Sequence, residues 1–172
     1  METNPLILTL SLDEEASAYF TALRDKHFPP ERNFLKAHLT LFHKLTMERV
    51  MLQETLSELT LQQSQMLLQV AGPQSIGNGV AYKIISSELQ QLHKHLQQKW
   101  QPFLSPQDKQ KLRPHITIQN KVAPAVARQL QENLAESFSP FTIRGTGLSL
   151  WEYLGGPWKH YREFSFQAQP LS

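Results

Sequence analysis

The chain has 172 residues, 40% of them hydrophobic and 19% charged, a globular composition that excludes a disordered or fibrous chain. It has no cysteine, which excludes disulfides and thiolate chemistry. A net charge of only +2 does not suggest a protein that coats nucleic acid, while leaving room for a local basic cleft that takes a nucleotide or an RNA end.

The opening Met1-Glu2-Thr3-Asn4-Pro5 lacks the basic start of a signal peptide, and the cytoplasm is the expected location. Leu6-Ile7-Leu8-Thr9-Leu10 reads as a strand, too short to cross a membrane. Ser11 and Glu14 form an S-x-x-E capping box, which predicts a helix running to about His27. A loop with Pro29-Pro30 leads to a strand at Ala37-His38-Leu39-Thr40-Leu41. A second helix is expected from Thr46 to about Leu59, then strands over Met66–Ala71 and Val80–Ile85 with Asn78-Gly79 turning between them. Ser87 and Gln90 repeat the capping signal, and Leu89, Leu92, Leu96, Trp100 and Phe103 follow at helical spacing. A loop with Pro102 and Pro106 precedes Pro114-His115-Ile116-Thr117-Ile118. A helix starts near Pro124, with Val126, Leu130, Leu134 and Phe138 on one stripe. Strands over Phe141–Leu150 and Tyr161–Gln167 close the chain, joined by a loop with Gly155-Gly156-Pro157. Gly72-Pro73 and Gly145-Thr146-Gly147 read as turns or bulges.

The order β-α-β-α-β occurs twice, followed by a last strand. It predicts an α+β fold: one bilobal domain over residues 1–172, with duplicated halves of roughly 1–78 and 79–172. Mainly antiparallel sheets would surround a central cleft, with helices outside.

The two histidine strings occupy corresponding places in these halves. In a strand, residues i and i+2 share a face, so His38 stands beside Thr40 and His115 beside Thr117, with Leu39, Leu41, Ile116 and Ile118 turned inward. Imidazole titrates near pH ~6.5, and two imidazoles on opposite sides of a phosphorus serve as base and acid for in-line displacement. Threonine hydroxyls donate to non-bridging oxygens. Water or a ribose hydroxyl supplies the nucleophile.

Two H-x-T-x strings on an element order that repeats over nearly the whole chain resemble the 2H phosphoesterase superfamily, close to its bacterial 2′-5′ RNA ligase and cyclic phosphodiesterase members. The resemblance implies a bilobal fold, no required metal or cofactor, and action on a 2′,3′-cyclic phosphate or 2′-5′ linkage of a nucleotide or RNA end. It implies His38 and His115 as the acid–base pair and Thr40 and Thr117 as phosphate binders. Relatives that act on RNA often carry an arginine shortly after the second motif. This chain has Gln119-Asn120-Lys121 there, and Lys121, sharing the alternation of His115, is the expected substitute.

Trp151, Tyr153 and Trp158 flank the glycine loop and are candidates for stacking on a base at the cleft rim, whereas Phe42 and Tyr82 are expected in the core. Arg113, Arg144, Lys159 and Arg162 are candidate phosphate contacts. His93 and His95 are expected to be solvated, His43 to pack, His27 to end a helix and His160 to be exposed. No metal site is expected, since threonine is a poor ligand and the motifs contain no carboxylate. Two other readings stay open: a module that binds a nucleotide or RNA end with little turnover, and an enzyme acting on a different phosphodiester metabolite. No membrane or obligate protein partner is expected.

Overall fold

A computed structural model describes residues 3–169. Its elements run β1 (Leu6–Leu12), α1 (Glu14–His27), β2 (Leu39–Leu45), α2 (Arg49–Gln62), β3 (Met66–Ser75), β4 (Val80–Ile85), α3 (Ser87–Trp100), β5 (His115–Gln119), α4 (Pro124–Glu136), β6 (Phe141–Tyr153) and β7 (Trp158–Ser165). The seven strands form a single sheet in the order β2-β1-β6-β3-β4-β5, with β7 also on β6, and every pair is antiparallel.

The division into halves comes from β6. Its first residues, Phe141–Gly145, pair with β3, and the stretch from Gly147 to Tyr153 pairs with β7 along the same edge. The opposite edge carries β1. The change of partner falls at Gly145-Thr146-Gly147, where the β1 register also shifts. A β-carbon on Gly147 would lie 2.6 Å from the Phe164 carbonyl oxygen, so only glycine lets β7 approach there. One group is therefore β2-β1-β6-β7 and the other β6-β3-β4-β5. The sheet curls enough that its two ends, β2 and β5, pack against each other.

The helices tie these ends together crosswise. α1, from the first half of the chain, packs on β5, and buried Arg24 donates from Nη1 to the Thr117 carbonyl at 3.2 Å. α3, from the second half, reaches β2, where the His93 Nε2 bonds the Leu41 carbonyl at 2.9 Å. His93 is buried and stacks on Phe42 with ring centroids 4.5 Å apart. The expectation of a solvated His93 was wrong: it shares the buried face of α3 with Leu89, Leu92, Leu96 and Trp100. Phe42 and Tyr82 lie in the core, as expected.

Several boundaries differ from those read in the sequence. Asp13, not Ser11, caps α1: its carboxylate accepts from Ala16 N at 2.9 Å and from Arg144 N at 2.8 Å. Ser11 remains in β1 because the ladder with β6 continues through it. Ser86, not Ser87, caps α3, accepting from Leu89 N. α2 starts at Arg49 because β2 continues to Leu45. β3 extends to Ser75 through a register shift at Gly72, whose φ is +143°. β7 begins earlier, at Trp158.

One apolar cluster fills the interior, with Leu6, Leu8 and Leu10 of β1, Leu39 and Leu41 of β2, and Ile116 and Ile118 of β5 among its members. Each such side chain contributes about 1.5–3 kcal/mol on burial. Among the described residues no helix is long and apolar enough to cross a membrane.

Candidate functional site

The inward-facing aliphatics of the two motif strands leave their polar neighbours on the other face. Leu39 and Leu41 are buried, and His38 and Thr40 are partly exposed. Ile116 and Ile118 are buried, Thr117 is partly exposed and His115 is exposed. The alternation expected of both strings is present.

Both imidazoles are held in the same way. His38 Nδ1 lies 2.8 Å from the Lys36 carbonyl oxygen, and His115 Nδ1 lies 2.8 Å from the Arg113 carbonyl oxygen. A carbonyl only accepts, so Nδ1 carries the proton in each ring. In the neutral ring the lone pair then sits on Nε2, and in the charged ring Nε2 is a donor. In both cases the acceptor is the carbonyl two residues before the histidine, across a buried Ala37 or Pro114.

The surroundings of the two rings differ. Trp158 of β7 lies against His38, with centroids 4.6 Å apart. In a flat sheet three strand spacings would separate β2 from β7, about 14 Å. The contact therefore reports the curl of the sheet toward this face. Desolvation lowers the His38 pKa to about 4, against the pull of the Lys36 carbonyl, and the charges of Arg24, His115 and His43 add to the effect. The packing of β2 against β5 brings the two motif strands together. In the ladder, His115 is paired with Lys83 of β4. The corresponding strand beside His38 is β1, whose Thr9 pairs with Thr40.

Trp151 is half-buried and donates from Nε1 to Thr9 Oγ1 at 2.9 Å. It meets Trp158 at 6.2 Å and His160 edge-on at 4.9 Å. Tyr153, paired with Trp158 at the end of the hairpin, is exposed. Ser11 Oγ lies 2.9 Å from Ser149 Oγ, and both serines donate to the Glu163 carboxylate. This group was not read from the sequence, because it depends on the pairing of β1, β6 and β7.

Lys121 does not continue the alternation of His115. β5 ends at Gln119, and Lys121 lies beyond it in a left-handed turn with φ +64°, where its N–H bonds Asn120 Oδ1. It starts from the far end of the strand. Arg113 by contrast is adjacent to the site, its carbonyl holding His115 and its side chain lining a cavity beside the ring.

His43 neither packs inward nor joins the motif. A register shift in the β1–β2 ladder buries both Leu41 and Phe42, and His43 is exposed. Its Nδ1 lies 3.3 Å from the fully buried carboxylate of Asp108. Asp108 also accepts from His43 N at 2.8 Å and Lys44 N at 2.9 Å, covering the free edge of β2. Among the described residues no three histidine, aspartate or glutamate side chains gather as a metal would require.

Solved structures share this architecture. TT0787 of Thermus thermophilus is 17% identical, with a TM-score of 0.69 over 96% of this chain and 100% of that one. E. coli LigT complexed with 3′-AMP is 19% identical, with a TM-score of 0.64 over 97% of this chain and 100% of that one. A structure described as a phosphoesterase is 20% identical, with a TM-score of 0.62 over 97% and 100%. At these identities the likeness establishes the fold alone. No curated protein sequence matches the chain. The sequence profile of the 2′-5′ RNA ligase superfamily, however, matches residues 12–157, a span containing both histidine strands, and the chain belongs to that superfamily.

Proposed function

We propose that this protein is a phosphodiesterase that opens the 2′,3′-cyclic phosphate of a nucleotide or RNA end, with His38 as base, His115 as acid, and Thr40 and Thr117 as donors to the phosphate. The reading rests above all on the matched Nδ1-to-carbonyl bonds, which leave both Nε2 atoms available for proton transfer. Membership of the superfamily supports phosphodiester chemistry, and the E. coli LigT structure with 3′-AMP shows a nucleotide bound to a protein of this fold.

The surroundings of His38 support its role as base. A His38 ring with its pKa lowered to about 4 is neutral at pH 7, and its Nε2 lone pair accepts the proton of an attacking water. The water oxygen bonds to phosphorus as one ribose oxygen departs. His115 serves as the acid, giving its Nε2 proton to that leaving oxygen. The threonine hydroxyls hold the non-bridging oxygens as their charge grows. If a ribose hydroxyl replaces water, the same groups in the same roles join two RNA ends through a 2′-5′ linkage.

The test is a turnover screen of chelator-treated protein over 2′,3′-cyclic nucleotides, 2′-5′ dinucleotides and RNA with cyclic-phosphate ends. Hydrolysis of the cyclic phosphates supports the reading. Binding without turnover across the panel would replace it with a binding module.

A further inference from the structure

His115 lines a cavity of about 930 Å³ on the face of β3, β4 and β5 turned away from the core. Lys83 rises from the middle of this face, and Lys111 and Arg113 come from the loop before β5. Ladder pairing places Lys83 directly beside His115, with β-carbons about 5 Å apart. All three cations are exposed, and no residue lining the cavity is acidic. Among the described residues the ion pairs are His43–Asp108 and His160–Glu163, so none of the three has a carboxylate partner. Three like charges around one concavity repel each other, and a bound anion removes that cost.

The opposite wall of the site has another character. There β1, β6 and β7 present Trp151, Trp158 and the Glu163 carboxylate with its two serines and His160. The three cations without carboxylate partners gather on this side, so further negative charge is favoured here. The asymmetry gives the substrate a direction: reacting phosphate between the histidines, further negative charge over β4.

Resting on the phosphodiesterase reading, we propose that the cavity of Lys83, Lys111 and Arg113 binds a second phosphate, the one on the 5′ oxygen of the nucleoside whose cyclic phosphate reacts. That phosphate is either a terminal 5′-monophosphate or the diester to a preceding nucleotide. Substrates that carry it are preferred over a nucleoside 2′,3′-cyclic phosphate that lacks it.

Three substrates test this: a nucleoside 2′,3′-cyclic phosphate, the same with a 5′-monophosphate, and a dinucleotide ending in a cyclic phosphate. With charge-assisted contacts to the second phosphate, kcat/KM rises about 10-fold or more for the substrates that carry it. An advantage for both assigns the cavity to any 5′ phosphate, and an advantage for the dinucleotide alone assigns it to the diester of a chain. The double variant Lys83→Gln/Lys111→Gln, at exposed positions, abolishes the advantage, read as the ratio of kcat/KM with and without the second phosphate so that any change in the basal rate cancels. Lys83→Arg/Lys111→Arg retains it. The advantage also weakens with salt, as mobile ions screen the exposed charges. Calorimetry with a nucleoside 3′-monophosphate and 3′,5′-bisphosphate reads the cavity apart from turnover. Tighter binding of the bisphosphate, lost in the double glutamine variant, is expected. Equal binding of the two ligands together with no kinetic advantage for the dinucleotide, or an advantage that survives removal of the lysines, overturns the proposal. Absence of turnover on all three substrates overturns the phosphodiesterase reading instead, with the binding comparison still deciding the cavity.

Discussion

Trp158 lies against His38, ring centroids 4.6 Å apart and planes inclined at 52°. The indole takes the place of water on one side of the imidazole. Burial is the main reason that the His38 pKa falls to about 4, and charging the ring against Arg24, His115 and His43 is a further cost. A contact between the two outer strands of one half of the molecule thus adds to the burial of a motif residue.

In the free protein His38 must be neutral to act as a base, and activity falls as pH drops through its pKa. The acidic limb of kcat/KM is therefore expected near pH 4 rather than near the ordinary histidine value. Trp158→Ala admits water and moves that limb upward, toward about 6.5. Steady-state profiles of the two proteins check this. An acidic limb in the same place in both would show that Trp158 does not control the ring.

His38→Ala and His115→Ala are each expected to lower turnover by about 10²–10⁴-fold, the usual scale of positioned proton transfer. The double variant loses less than the product of the two, since base and acid serve one displacement. Thr40→Ala and Thr117→Ala do less damage, because a neighbouring donor partly covers the lost contact. Near wild-type rates in either single histidine variant would remove the pair from the mechanism.

Activity is expected to survive chelation, because the proposed proton transfers need only the two imidazoles. Turnover assayed before and after EDTA treatment and desalting decides this. Complete loss, restored by a divalent ion, would sink the mechanism.

Asp108 is expected to matter for stability. Burial alone would raise its pKa, but bonds from the His43 ring and from the N–H groups of His43 and Lys44 outweigh it and hold the carboxyl below its usual range. A carboxyl with a depressed folded-state pKa contributes stability above its unfolded pKa, near 3.9, and that stability fades as pH falls through the folded value. Asp108→Ala leaves two backbone donors without this acceptor at any pH. It is expected to cost about 1–3 kcal/mol in denaturant unfolding at neutral pH. Unfolding at the wild-type midpoint would mean that water satisfies the edge of β2 unaided.

Much of the site was legible before any tertiary structure. Alternation is a property of a few consecutive residues, so Leu39, Leu41, Ile116 and Ile118 announced an inward face and placed His38, Thr40, His115 and Thr117 on the other. The buried stripe Leu89, Leu92, Leu96 and Trp100 was equally local. Where the ladder overruled local chemistry, the reading failed. Ser11 looks like a cap but is held in β1 by its pairing with β6, and Lys121 looks like the next residue of an alternating strand but follows the end of β5. His93 is polar in sequence and buried in fact, because α3 crosses to lie under β2 and offers it the Leu41 carbonyl. Trp158 was legible as a rim aromatic, but its contact with His38 was not, nor was the pairing of Lys83 with His115. Periodicity determines which face a side chain takes. Which residues share that face is settled by strand register, bulges and sheet curl, and these depend on pairings between segments far apart in the chain.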